Sequence, residues 1–238
     1  MTSQPTGLSL QLKARAVGLC YLLTIGFGAF DHLVVGRGMV VTGDAGATAR
    51  NILASEPLYR VAFVLDTIPL YVVVTVLLYQ LLKPVNAGVS LLAAFTSLMG
   101  GAVGSAIAVL QWAPLVILGS ASYLAAFAAG QRQALAMLSL DLHGVGFVIS
   151  LVFFGFYCAL IGWLILRSGF IPWFVGALMM TGGLAYAAYS FTDLLFPSLA
   201  ASLTGPTLML GSLGEGVLTL WLLIFGLNTK RWLQAAAA

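Results

Sequence analysis

Glu215 sits between Gly214 and Gly216 inside an apolar run that reaches from Leu208 to Leu227. A carboxyl in such surroundings binds protons, cations or hydrogen-bonding solutes, and an intramembrane ionisable residue is a functional candidate by default. A charge at the centre of a membrane helix costs about 2.5–3.5 kcal/mol on the insertion scale, while Leu, Ile, Val and Phe return about 0.3–0.6 each. Eleven such residues between Leu208 and Leu227 let the helix insert with its acid. Desolvation then favours the neutral acid unless a cation or a donor lies beside it.

Other groups of the same chemical kind recur along the chain. Asp66 lies three residues before Pro69, and Asp31 is followed by His32 with Arg37 as an available partner. Asp193 ends a run that also carries Tyr186 and Ser190 at helical spacing. Asp141 and His143 are two residues apart, and side chains at that spacing diverge by about 200° on a helix, so they serve separate tasks unless a helix starts between them. Asp141 suits a helix N-cap or an interfacial acid paired with Arg132, and His143 an interfacial position. His32, His143, Asp66 and Glu215 are also residue types that hold a divalent metal, although their spacing forms no ligand motif.

Motifs for soluble chemistry are absent. The chain has no G-x-x-x-x-G-K-[ST] loop, no H-E-x-x-H helix and no G-x-S-x-G elbow. Two histidines cannot ligate several haems. No cofactor is evident and no catalytic motif marks an enzyme. Cys20 and Cys158 both lie in apolar runs, which is no disulfide framework.

The elements that position these groups follow from composition. Of the 238 residues 61% are hydrophobic and 7% charged, with a mean hydropathy of +1.06. Hydrocarbon offers the backbone no hydrogen bonds, so each long apolar run is a helix, and the runs lack the alternation of a barrel. The expected fold is all-α: a polytopic membrane bundle forming one integral domain over residues 1–238, with spans at about 13–35, 59–82, 88–112, 143–166, 172–195 and 206–227. The first run is too long for the apolar region of a signal peptide and reads as a span. A seventh run, 114–129, begins at Pro114 and reads as a re-entrant or interfacial piece within an outer loop from Ala113 to about Leu142.

With six spans, Lys13, Arg15, Lys83, Arg167, Lys230 and Arg231 all lie on one side with no acid among them, which places both termini in the cytoplasm. The net charge of +3 is therefore a topology signal, not a nucleic-acid footprint. Before Pro57, Asp44 can cap a helix over about 44–55 that lies on the outer surface.

Small and polar stripes mark the faces turned inward: Tyr21, Thr24, Gly28 and Asp31; Thr67, Tyr71 and Thr75; Ser97, Gly101, Ser105 and Ala108; His143, Gly146, Ser150 and Tyr157; Gly182, Tyr186, Ser190 and Asp193; Gly211, Glu215 and Thr219. At about 1.5 Å per residue, Asp31 stands about 24 Å from Arg15, Asp66 about 26 Å from Lys83 and Glu215 about 22 Å from Lys230. His143 and Asp193 come out about 36 and 39 Å from Arg167. The count puts three carboxylates at one level in the outer half of the hydrocarbon.

The strings "ARAVGLCYLLTIGFGAF", "GDAGATARNILASE", "LLKPVN", "LDLHGVGF", "FFGFYCALIGWLILRSGFIP" and "GEGVLTLWLLIFG" together resemble the bacterial family called domain of unknown function 4386, over roughly residues 12–227. The resemblance implies a multi-pass protein of a bacterial plasma membrane with a single domain, and implies no activity. Its recurring "GDA", "LDLH" and Gly-Glu features fall on Asp44, Asp141, His143 and Glu215.

Three functions are consistent with these residues. The first is an outward-facing acidic pocket that binds or moves a cation, proton or small polar solute, with Glu215 and Asp66 as floor, Asp31 as a third carboxylate, and His143 and Asp193 as rim. The second is a metal-dependent enzyme of the outer leaflet. The third is an accessory or sensory subunit whose polar stripes hold helices together. The lipid bilayer is the one partner the sequence names.

Overall fold

The computed structural model describes residues 7–237, and every regular element among them is helical. In chain order these are α1 (Gly7–Asp31), α2 (Ala45–Ala54), α3 (Glu56–Asp66), α4 (Leu70–Leu82), α5 (Ala87–Ile117), α6 (Ala129–Ser168), α7 (Trp173–Leu195), α8 (Pro197–Ile224) and α9 (Thr229–Ala237). A π-helical turn, His32–Arg37, extends α1, and a 3-10 turn, Ser122–Ala126, precedes α6. Six stretches are long and apolar enough to cross a membrane: Gly7–Arg37, Glu56–Leu82, Ala87–Ile117, Ala129–Ser168, Trp173–Leu195 and Pro197–Ile224. The protein is thus a multi-pass helical bundle suited to a lipid bilayer.

Local chemistry sets the boundaries. Asp44 Oδ1 accepts from Ala47 N at 2.8 Å and caps α2. The second span is broken around Pro69, which has no N–H to continue a helical ladder, so α3 and α4 are separate helices and Thr67 falls in the gap between them. Asn86 Oδ1 accepts from Val89 N at 2.9 Å and starts α5.

The loop expected over 113–142 is largely helical. α5 runs through Pro114 to Ile117, and α6 begins at Ala129, where Gln131 Oε1 accepts from Ala128 N at 2.8 Å. Gln, Arg, Ala, Leu and Met are good helix formers, so the polarity of this stretch signals contact with water, not loss of helix. A helix of 40 residues rises about 60 Å, twice a hydrocarbon core of about 30 Å, so part of α6 stands beyond that core.

Contacts divide the chain into two compact units. The first holds residues 7–23, Pro69–Gly101 and 148–237. Its helices approach through glycine. A Cβ on Gly18 of α1 would lie 2.6 Å from Leu223 N of α8, and one on Gly155 of α6 would lie 2.7 Å from Gly183 O of α7. Contacts this close exclude any side chain, the packing mode that replaces the hydrophobic effect inside lipid. Across α4 and α5 the hydroxyls of Thr75 and Ser97 meet at 2.6 Å. One end of this unit is tied together polarly: Gln11 Nε2 donates to Leu227 O at 2.6 Å, Trp232 Nε1 to Leu81 O at 2.7 Å, and Arg231 Nη1 to Gly169 O at 2.9 Å. The start of α1 and the end of α8 therefore lie together, with Lys13, Lys83, Arg167, Lys230 and Arg231 in the segments gathered there.

The second unit holds Thr24–Ile68 and Ala102–Phe147. Its core is Val35, Met39, Ile52, Tyr59 and Ala62, packed by Phe30, Val34, Val40, Leu115 and Leu140. Two bonds hold α2 on this core: Val41 N donates to Thr48 Oγ1 at 2.9 Å, and Asn51 Nδ2 to Met39 O at 3.1 Å.

Candidate functional site

In the first unit, Glu215 of α8 is 8% exposed and each of its oxygens accepts a tyrosine hydroxyl. Tyr21 of α1 donates to Oε2 at 3.0 Å, and Tyr186 of α7 donates to Oε1 at 2.9 Å. The two tyrosines are also joined through rings. Tyr21 meets Tyr71 at 5.8 Å between centroids, Tyr71 meets Phe154 at 5.6 Å, and Phe154 meets Tyr186 at 5.8 Å. Tyr157 packs on both Tyr71 and Phe154. Helices α1, α4, α6, α7 and α8 thus each place a side chain in one closed circuit around the carboxyl.

The sequence folds this way because small residues clear the space. A Cβ on Gly211, one turn before Glu215, would overlap the ring of Tyr186, so only glycine lets that tyrosine cross to α8. A Cβ on Gly214 would lie 2.7 Å from Leu178 O, which brings α8 close to α7 at the level of the acid.

More polar capacity surrounds the acid than its two bonds use. The hydroxyl of Thr219 is buried without a hydrogen-bond partner, and those of Tyr71 and Tyr157 are buried with only a poorly aligned interaction with each other. Tyr157 is 1% and Thr219 0% exposed, and Thr219 shares the face of α8 that carries Glu215. Such groups are uncommon in folded interiors and each calls for an explanation. Among the described residues, Glu215 has no ion pair with a Lys, Arg or His; the salt bridge there is Arg60 to Glu56 at 2.7 Å, on the surface of α3. The thiol of Cys158 is free and buried beside Tyr157 in sequence.

Asp31 and Asp66 belong to the second unit. Asp31, half-buried at the end of α1, accepts from Gln111 Nε2 at 2.9 Å through Oδ1, and the backbone carbonyl of Gln111 accepts from the hydroxyl of Tyr59. Its partner is therefore Gln111 where the sequence offers Arg37. Asp66 closes α3 as an exposed residue whose Oδ1 lies 3.5 Å from where a Cβ on Gly28 would stand.

The remaining sequence candidates are dispersed. His32 is exposed in the π-helical turn, His143 is half-buried within α6, and Asp193 is half-buried near the end of α7. Ser190 Oγ donates to Tyr186 O at 2.9 Å, so its hydroxyl is spent on its own helix. Asp141 is exposed inside α6, which starts at Ala129 and not between Asp141 and His143. It is no N-cap, and Arg132 donates to Gly119 O at 3.1 Å. Among the described residues no three His, Cys, Asp or Glu side chains gather into a group able to hold a metal ion.

Two features escape the sequence reading. The height of Glu215 changes because α8 stops at Ile224 and Gly226 turns the chain at φ 69°, so Glu215 stands nine residues, about 14 Å, from the end of its helix. A count from Lys230 includes residues that do not rise along α8. Gln111, 3% exposed, lies on none of the stripes, and its single amide in an apolar run is the one signal for it. Tyr21, Tyr71 and Tyr157 do lie on the stripes, but spacing along one helix cannot reveal that they meet across three.

No curated protein and no solved structure matches the chain. A family profile described as "Domain of unknown function (DUF4386)" matches residues 16–226, which takes in Tyr21, Tyr71, Tyr157, Tyr186 and Glu215, and the chain belongs to that family.

Proposed function

We propose that the protein binds a proton or a small cation at Glu215 within the bilayer, as the binding step of its movement or its sensing. The observation that carries this reading is a buried carboxyl held by two hydroxyls, with no basic side chain among the described residues paired to it. A carboxylate taken out of water without a countercharge is costly, and a proton or a cation relieves that cost. Hydroxyl oxygens suit both. Each can donate to a carboxylate or, turned about its C–O bond, accept from a carboxylic acid or contribute a lone pair to a cation. The buried hydroxyl of Thr219, one turn along α8, is a further group of this kind. The start of α1 and the end of α8, which meet at the basic end, fit a cytoplasmic placement of that end.

The experiment is a thermal-shift titration of purified wild type and Glu215→Gln against pH, Na+, K+ and a small organic ammonium. A response in wild type that vanishes in Glu215→Gln is expected, and identical responses overturn the reading. A second reading rests on the same bonds, because they also fasten α1 and α7 to α8. A chain in which they did only that is an accessory or scaffold subunit, and it would show flat titrations in both proteins with a lower melting temperature in the variant.

A further inference from the structure

At the basic end of the first unit a cleft of about 510 Å³ opens where α6, α7 and α8 finish or begin. Its walls are Phe170, Trp173, Trp221 and Phe225, and Asn228 and Arg231 stand at its rim. Two glycine turns shape it: Gly169 at φ 66° ends α6, and Gly226 at φ 69° ends α8. Trp173 is 70% and Phe225 63% exposed, and Trp221 lies tilted against Phe225 at 4.6 Å and meets Phe174 edge-on at 5.6 Å, so the α8 part of the aromatic wall is held by ring contacts. Arg231 spends one nitrogen on Gly169 O, which aims the guanidinium at the loop lining the cleft. A guanidinium carries five N–H donors in a fixed fork that matches phosphate oxygens.

The charge around the cleft has one sign. Arg167, Lys230 and Arg231 flank it, Lys13 of α1 and Lys83 at the end of α4 lie in segments fastened to the same end, and no Asp or Glu occurs after Glu215 or between Asp141 and Asp193. Three membrane-spanning stretches terminate at this level, and Trp with Lys or Arg at span ends is the composition of the headgroup zone. An aromatic slot for acyl chain, a phosphate fork and a cationic surround together fit one occupant.

We propose that this cleft binds an anionic phospholipid, with the phosphate on Arg231 and Asn228 and the upper acyl chain along Trp173, Trp221 and Phe225. This is a site for a resident lipid and is independent of what Glu215 binds. Juxtamembrane basic clusters attract anionic lipid generally; the cleft adds a fixed place for one molecule. The test is quenching of tryptophan fluorescence in the full chain by brominated phosphatidylglycerol and brominated phosphatidylcholine in mixed vesicles, with inorganic phosphate as competitor. Stronger quenching by phosphatidylglycerol at equal mole fraction is expected, with its apparent affinity falling about tenfold in Arg231→Gln and phosphate failing to compete. Because Arg231 also supports the Gly169 loop, Trp173→Ala, at an exposed side chain, is the second variant, and it should remove part of the phosphatidylglycerol quenching without lowering the melting temperature. Equal quenching by the two lipids, or displacement by millimolar phosphate, overturns the proposal.

Discussion

Each unit of the molecule holds a carboxyl of α1 or α8 in a hydrogen-bond network, and the two networks are built from different donors. Glu215 meets only hydroxyls, from Tyr21 and Tyr186. Asp31 meets an amide, Gln111 Nε2. An amide NH2 donates and cannot accept, so it favours an acceptor opposite it and resists a change that would turn that oxygen into a donor. A hydroxyl reverses by rotation. The Glu215 centre can therefore gain a proton or a cation and keep both partners by rotating two hydroxyls, whereas the Asp31 centre keeps its bond to Nε2 only while Oδ1 remains an acceptor and must turn the whole Gln111 amide over to present Oε1 if that oxygen takes the proton. Both centres fasten helices, and the hydroxyl-only shell of Glu215 is what makes it the group proposed to change state.

Removing each acid outright gives the largest expected effect. Glu215→Leu strips the acceptor from two buried hydroxyls, and each donor left unpaired costs about 1–3 kcal/mol. A loss of about 2–5 kcal/mol, read as a fall in melting temperature in detergent, is expected there, against about 1–3 kcal/mol for Asp31→Leu, which strands a single amide. Equal losses would erase the distinction between the two centres.

Gly211→Ala comes next. The new Cβ meets the ring of Tyr186, and overpacking of this kind costs about 1–3 kcal/mol. The expected signature is specific: loss of the ion response of the Glu215 centre without any substitution at the acid, because Tyr186 can no longer reach Oε1. Gly205→Ala on the same helix, where nothing lies within 4 Å, is the control and should keep both stability and response.

These contrasts also show what the chain discloses before it folds. The six spans are legible because a long apolar run has no other way to satisfy its backbone in lipid, and α2 is legible because Asp44 can serve as its cap. Glu215 and Tyr186 stand out as polar groups in such runs. The circuit joining them through Tyr21, Tyr71 and Phe154 does not, since it depends on which helices become neighbours. The level of Glu215 is misjudged because the turn at Gly226 is invisible to a count of rise per residue. The first turns of α6 read as loop because their polarity masks the helix-forming character of Gln, Arg, Ala and Leu.

Tyr21→Phe and Tyr186→Phe divide the Glu215 centre into its halves. Polar bonds between membrane helices average about 0.6 kcal/mol and reach about 1.7, so each variant is expected to lose an amount in that range by chemical denaturation. The double variant leaves the carboxyl without either donor and should lose more than the sum, because a singly held carboxyl still has one partner and an unheld one has none. Additive losses would mean that the two hydroxyls act on the carboxyl independently.

The smallest effect belongs to the exposed pair on α3. Arg60 and Glu56 are 2.7 Å apart, but their side chains are 46% and 40% exposed, and an i,i+4 pair of this kind contributes about 0.3–0.5 kcal/mol. Arg60 also lies over the ring of Trp112 at 5.0 Å, a contact that survives loss of the acid. Glu56→Gln is therefore expected to shift stability by no more than about 0.5 kcal/mol, and the shift should shrink further in high salt. A larger, salt-independent loss would show that the pair does more than decorate the surface, since screening acts on charges exposed to water and leaves buried ones nearly untouched.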